Sequence, residues 1–84
     1  MSRVQIQRFG EKLHKLRLQR SITLKGLAQS LGHASHGYIS ELESGKKIPT
    51  VEFVLGVSLL FNVSADILLR DDLEIESNSE LVEG

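Results

Sequence analysis

The chain has 84 residues, a formal net charge of −1, 40% hydrophobic and 25% charged residues, and no cysteine. A chain this short builds one core, which disfavours several domains or an enzyme with a sizeable pocket; without cysteine, disulfides and thiolate metal sites are excluded and a reducing, cytoplasmic setting is expected. The longest uncharged apolar stretch, residues 53–65, falls short of the ~20 residues of a membrane helix, and the opening MSRVQIQRF lacks the apolar run of a signal peptide.

The elements read as helices almost throughout. Phe9, Leu13 and Leu16 recur at i, i+4 and i+7, with Arg8, Glu11, Lys12 and Lys15 on the other faces; this predicts an amphipathic helix over about residues 6–20. Thr23 is placed to cap a short second helix, Leu24 to Leu31, stopped by Gly32. Ser35 caps a third, running to about Ser44 with Ile39 and Leu42 inward, and Gly45 ends it. Pro49 and Thr50 open a fourth helix, Val51 to Phe61, and Ser64 caps a fifth, Ala65 to about Leu69. Only Leu73-Glu74-Ile75-Glu76 alternates in the manner of a strand. From Asp71 onward the chain is acidic and polar, so we divide it into a domain at 1–70 and an acidic tail at 71–84, mobile or ordered only against a protein partner.

Charge is unevenly distributed. Residues 1–47 hold nine Lys/Arg against three acids, and residues 48–84 hold one Arg against eight acids. Net charges of +6 and −7 suggest a basic surface for a polyanion and an acidic end pointing elsewhere. Two short helices joined by a glycine-containing turn, flanked by longer ones, have the arrangement of a helix-turn-helix.

Particular residues sharpen this. Leu16-Arg17, Thr23 with Leu27-Ala28, Gly32, Ile39-Ser40 with Glu43 and Gly45, Pro49-Thr50, and Phe61-Asn62-Val63-Ser64 follow one another in order and spacing. Together they resemble the phage-repressor-like (Cro-like, XRE-type) helix-turn-helix family over about residues 6–69. The resemblance implies an all-α, five-helix lambda-repressor-like fold whose second and third helices form the helix-turn-helix. Three departures stand out. Leu24 replaces the Gln that usually follows the cap, the turn GHASHGYIS is one residue longer, and Gly26 and Gly37 lie inside helices.

Transferred residue by residue, the resemblance assigns base reading to His36, Gly37 and Glu41, with Tyr38 and Ser40 nearby. A His donates to guanine acceptors, whereas a carboxylate only accepts and selects a cytosine amine. Phosphate contacts fall to Thr23, Lys25, Ser35, Lys46 and Lys47, with Arg8 and Lys12 able to flank the groove. Arg17 and Glu43 match a structural ion pair between the first and third helices, which removes Arg17 from the DNA contacts.

The fourth helix is apolar almost all round. Val51, Val54, Val57, Ser58 and Phe61 share an expected core face, Leu55 and Leu59 form a second stripe, and Phe53 and Leu60 a third. One small domain cannot cover every side, so a second chain is expected. Dimers in the resembling family pack through the C-terminal helices; Leu59, Leu60, Ile67 and Leu69 are the residues expected at such an interface. The competing account is that the tail, with Leu73, Ile75, Leu81 and Val82, covers the extra face.

His14, His33 and His36 lack a further ligand, so no metal is expected, and neither a nucleophile constellation nor a phosphate-cradling glycine loop stands out. No cofactor is implied. The expectation is a homodimeric, sequence-specific transcriptional regulator that binds a pseudo-palindromic operator in double-stranded DNA. The alternative is a protein–protein interaction module that keeps the helix-turn-helix fold without reading DNA.

Overall fold

The computed structural model describes residues 6–32 and 35–75. Among them stand five helices and no strand: α1 (Phe9–Gln19), α2 (Leu24–Ser30), α3 (His36–Glu43), α4 (Val51–Phe61) and α5 (Ala65–Leu69). His33 and residues 76–84, with Leu81 and Val82, lie outside the described residues, and with them most of the acidic tail and its expected partner site.

Helix starts follow from hydroxyl side chains. Thr23, Ser35, Thr50 and Ser64 have extended backbones and accept from the amides of Gly26, Tyr38, Phe53 and Ile67 at 2.9, 3.2, 3.0 and 3.2 Å. Each satisfies one amide that the helix itself leaves unpaired. The first four helices stop on left-handed residues: Gly32 and Gly45 have φ of 70° and 86°, and Ser21 and Asn62 adopt 56° and 57° without the freedom of glycine. The helix at Ala65–Leu69 ends instead in the extended backbone of Arg70.

The first helix begins three residues later than the periodicity predicts. Its N-terminus has no local side-chain cap. Instead the Asp71 carboxylate accepts from the amides of Gln7 and Arg8 at 3.0 Å each, doing from 63 residues away what a local cap would do. Arg8 answers by donating to the Asp71 carbonyl and, in a bidentate pair, to Glu74 at 2.8 Å. Ile75 is buried in the core, and Lys15 Nζ donates to its carbonyl at 3.2 Å. Residues 71–75, set apart by their acidic composition, thus lie along α1.

The core is built from Phe9, Leu13 and Leu16 of α1, Leu27 and Ala28 of α2, Ile39 and Leu42 of α3, Phe53, Val54, Val57 and Phe61 of α4, Leu68 of α5, and Ile75. Phe53 is its hub. It meets Phe9 and Tyr38 edge-on, with ring centroids 6.2 and 5.4 Å apart, a favoured aromatic geometry. This corrects the expected face of α4. Turning Phe53 inward buries more apolar area than turning Val51 inward, and Val51 is left 75% exposed.

Lys12 is a second correction. The helical pattern puts it on a solvated face able to flank the DNA groove, yet it is 1% exposed. Its Nζ donates to the carbonyls of Ile67 and Arg70 at 2.6 and 2.5 Å, closing the C-terminal end of α5. Burial lowers its pKa. Arg8, engaged with Glu11, Asp71 and Glu74, is likewise committed within the fold. No described helix is long and apolar enough to cross a membrane.

Candidate nucleic-acid interface

The α2–α3 unit is held against α1 at the last turn of α3. At its closest approach Gly10 of α1 lies against the last turn of α3, where a Cβ would collide with the carbonyl oxygens of Leu42 and Glu43. Beside this contact, Glu43 turns back to α1. Its side chain is 10% exposed and receives Arg17 Nε at 2.7 Å, Arg17 Nη2 at 3.0 Å and His14 Nδ1 at 2.8 Å. An ionised carboxylate only accepts, so the His14 contact requires a proton on Nδ1. Arg17 also donates to the Ile22 carbonyl at 3.0 Å, linking the clasp to the turn before α2. Burial works against the charge on Glu43, but the hydrogen bonds and charges of Arg17 and His14 outweigh it, and the carboxyl lies below its ordinary range. Arg17 is correspondingly raised, chiefly by its hydrogen bonds to Glu43.

With Ile39 and Leu42 buried, the rest of α3 turns outward. His36, Gly37, Ser40 and Glu41 are exposed, together with Ser44 at the cap. At 100° per residue they share a sector of about 140°. Tyr38 is half-buried and lies at the sector's edge, its ring against Phe53. Gly37 faces open space apart from the Ser35 hydroxyl, 3.8 Å from where its Cβ would stand. Gly26 is different: a side chain there would press on the Thr23 cap oxygen at 3.1 Å.

Positive charge flanks this sector. Thr23, Lys25 and Ser35 are exposed at the starts of α2 and α3, and Lys46 and Lys47 at the end of α3. The Gly45 turn brings the lysines back alongside α3: Gly45 N donates to Leu42 O at 3.2 Å and Lys46 N to Glu41 O at 2.9 Å, the paired bonds of a Schellman stop. Lys47 Nζ then lies 3.7 Å from Glu41 Oε1. Lys25 and Lys46 have no ion-pair partner among the described residues. By contrast Arg8, Lys12, Lys15, Arg17 and Arg20 all bind internal acceptors, Arg20 the Phe61 carbonyl at 3.1 Å.

Among the residues expected at a dimer interface, Leu59 is 81% exposed, whereas Leu60, Ile67 and Leu69 are half-buried against the core. Val51 and Leu55 continue the exposed stripe along α4, with Ile48 just before it. No grouping of three or more His, Cys, Asp or Glu suited to a metal stands among the described residues. Sequence reasoning missed His14 and Gly10; the spacing of His14, three residues before Arg17, was the available signal for the first.

A capped short helix, a left-handed stop and a second short helix clasped to α1 with its outer face bare define a helix-turn-helix protein. The helix-turn-helix family model matches residues 13–68, and the chain belongs to this XRE/Cro-like family of DNA-binding transcription regulators, which is not a family of enzymes. Among its relatives is the HTH-type transcriptional activator BcrR of Enterococcus faecalis, 37% identical over a 78-residue alignment that covers 87% of this chain. The chain spans 38% of the length of that curated relative. Among solved structures, the N-terminal DNA-binding domain of SinR from Bacillus subtilis superposes with a TM-score of 0.72 at 28% identity, covering 81% of this chain and 99% of that one. The P22 c2 repressor bound to a synthetic operator gives 0.70 at 30% identity, covering 76% and 96%.

Proposed function

We propose that the chain binds double-stranded DNA sequence-specifically as a homodimer, with α3 in the major groove of a pseudo-palindromic site, and regulates transcription in the cytoplasm. The observation that carries this reading is the bare outer sector of α3 on a helix locked by the Glu43 clasp, with lysines at both flanks. His36 and Glu41 are the base readers with side chains long enough to reach an edge; Ser40 and Tyr38 border them, and Gly37 admits close approach of the backbone. Thr23, Ser35, Lys25, Lys46 and Lys47 face the sugar–phosphate backbone. Because five of the basic residues are engaged inside the fold, each protomer neutralises only about two or three phosphates, a salt slope of about −4 to −5 for the dimer. The similarity to the operator-bound c2 repressor supports the same mode of docking.

The homodimer rests on α4. Val51, Leu55 and Leu59 recur at i, i+4 and i+8 on its solvent side, a continuous apolar stripe of the kind that a monomer rarely leaves bare. A second copy on this stripe, bordered by Leu60, Ile67 and Leu69, presents two α3 helices to half-sites about 34 Å apart. Leu59→Glu is expected to convert a dimer to a monomer in sedimentation while leaving single half-site binding intact; a wild-type chain that sediments as a monomer at every concentration refutes the interface. Gel shifts at two salt concentrations test the reading of DNA. His36→Ala is expected to lower discrimination between specific and random duplexes, and Lys46→Ala to weaken both alike. No binding even at low salt would sink the proposal.

A further inference from the structure

The surface that faces DNA in this reading contains one anomaly. Between residues 12 and 51 the chain has only two acids, Glu41 and Glu43. Glu43 is enclosed by Arg17 and His14, so Glu41 is the single exposed carboxylate of that span, and it stands on the outer sector of α3. A bare carboxylate there is repelled by the phosphates that line the groove on both sides. Among the described residues, Lys47 is the one cation placed against it. The Gly45 stop folds the chain back along α3, the Lys46 amide and the Ser44 hydroxyl both bind the Glu41 carbonyl at 2.9 and 3.1 Å, and Lys47 Nζ arrives 3.7 Å from Glu41 Oε1.

We propose that Lys47 is a specificity-determining residue that acts through Glu41, screening its charge so that α3 enters the groove and leaving its second oxygen to test for a base amine. The inference rests on the DNA-reading function proposed above and separates Lys47 from Lys25 and Lys46, which have only phosphates to bind. Screened, the carboxylate no longer penalises every sequence equally. Its free oxygen accepts from a cytosine N4 amine where the site supplies one. Where the site offers only acceptors or a methyl group, Glu41 loses water without gaining a donor, and that sequence is rejected. As an exposed pair the contact adds little to folding; its consequence lies in the complex.

The test is a double-mutant cycle on the full chain, comparing wild type, Lys47→Ala, Glu41→Gln and the double variant. Binding to the best duplex from a random-sequence selection and to a scrambled duplex is read by fluorescence anisotropy, and far-UV circular dichroism confirms that all four are folded. Lys47→Ala is expected to weaken binding by about tenfold when Glu41 is present, and by about threefold or less in the Glu41→Gln background. Glu41→Gln alone is expected to strengthen binding to the scrambled duplex and to reduce discrimination by about tenfold. Lys46→Ala serves as the control, with the same loss in both backgrounds. An equal loss from Lys47→Ala with and without the Glu41 carboxylate overturns the role of Lys47 while leaving the DNA reading in place. A wild-type chain that binds neither duplex overturns both.

Discussion

Replacing Glu43 with Gln removes one charge from the joint between α1 and α3 and changes almost nothing in size. In the structure one carboxylate takes three donors, two from Arg17 and one from His14, at 2.7–3.0 Å. The side chains of Arg17 and Glu43 are only 12% and 10% exposed, so solvent screens the pair weakly. Breaking a buried ion pair costs about 3–5 kcal/mol; the amide oxygen of Gln still accepts one donor, which reduces the expected loss to about 2–3 kcal/mol. For a domain of this size that lowers Tm by about 10–20 °C. Urea unfolding followed by far-UV circular dichroism measures it, with Arg17→Met and the double variant completing a cycle. The sign of the pH dependence follows from the lowered Glu43 pKa. The stabilisation is complete above the ordinary carboxyl value of 4.5 and is lost as pH falls through the lower folded value. Wild type and Glu43→Gln are therefore expected to converge in acid. A difference below about 0.5 kcal/mol at neutral pH, or a gap that persists unchanged into strong acid, refutes the clasp as the element that fixes α3.

Other positions give independent expectations. Gly10→Ala drives a methyl group into the Leu42 and Glu43 carbonyls and is expected to cost about 3 kcal/mol or more, checked by the same denaturation; a neutral result means that α1 and α3 do not approach this closely. Lys12→Met leaves the Ile67 and Arg70 carbonyls without their donor, a loss of about 1–3 kcal/mol, with faster hydrogen exchange confined to α5 and the segment that follows. Ser21→Gly relieves a left-handed serine and is expected to raise stability by about 1 kcal/mol, read as an upward shift in the urea midpoint.

Much of the fold is legible in local chemistry. The starts of α4 and α5 follow from Thr50 and Ser64 and their extent from the apolar periodicity, because a hydroxyl cap acts over three residues and leaves its mark in the sequence. What the sequence conceals is what depends on distant residues. Phe9 opens α1 because Asp71, far along the chain, holds the two amides before it. Lys12 reads as a surface lysine by pattern, and only the arrival of the α5 carbonyls makes its burial tolerable. Periodicity at 100° per residue places Val51 on the core face and Phe53 off it; the aromatic packing of Phe53 on Phe9 and Tyr38 reverses the two. At the candidate interface, the residue types on α3 are legible, whereas the commitment of Arg8, Lys12, Lys15 and Arg20 to internal acceptors is not. That commitment changes the meaning of the basic N-terminal half. Most of its charge binds the fold together, and among the described residues the Lys/Arg charge beside α3 reduces to three lysines, one of them shared with Glu41.

In the proposed function α3, presented by two copies of the chain, reads base sequence. An unbiased selection of bound duplexes from a random-sequence library tests it most directly. Recovery of an inverted repeat with half-sites one helical turn apart is expected, with enrichment falling when His36 or Glu41 is replaced. Recovery of unrelated sequences at background frequency, with no enriched repeat at any salt concentration, would contradict it.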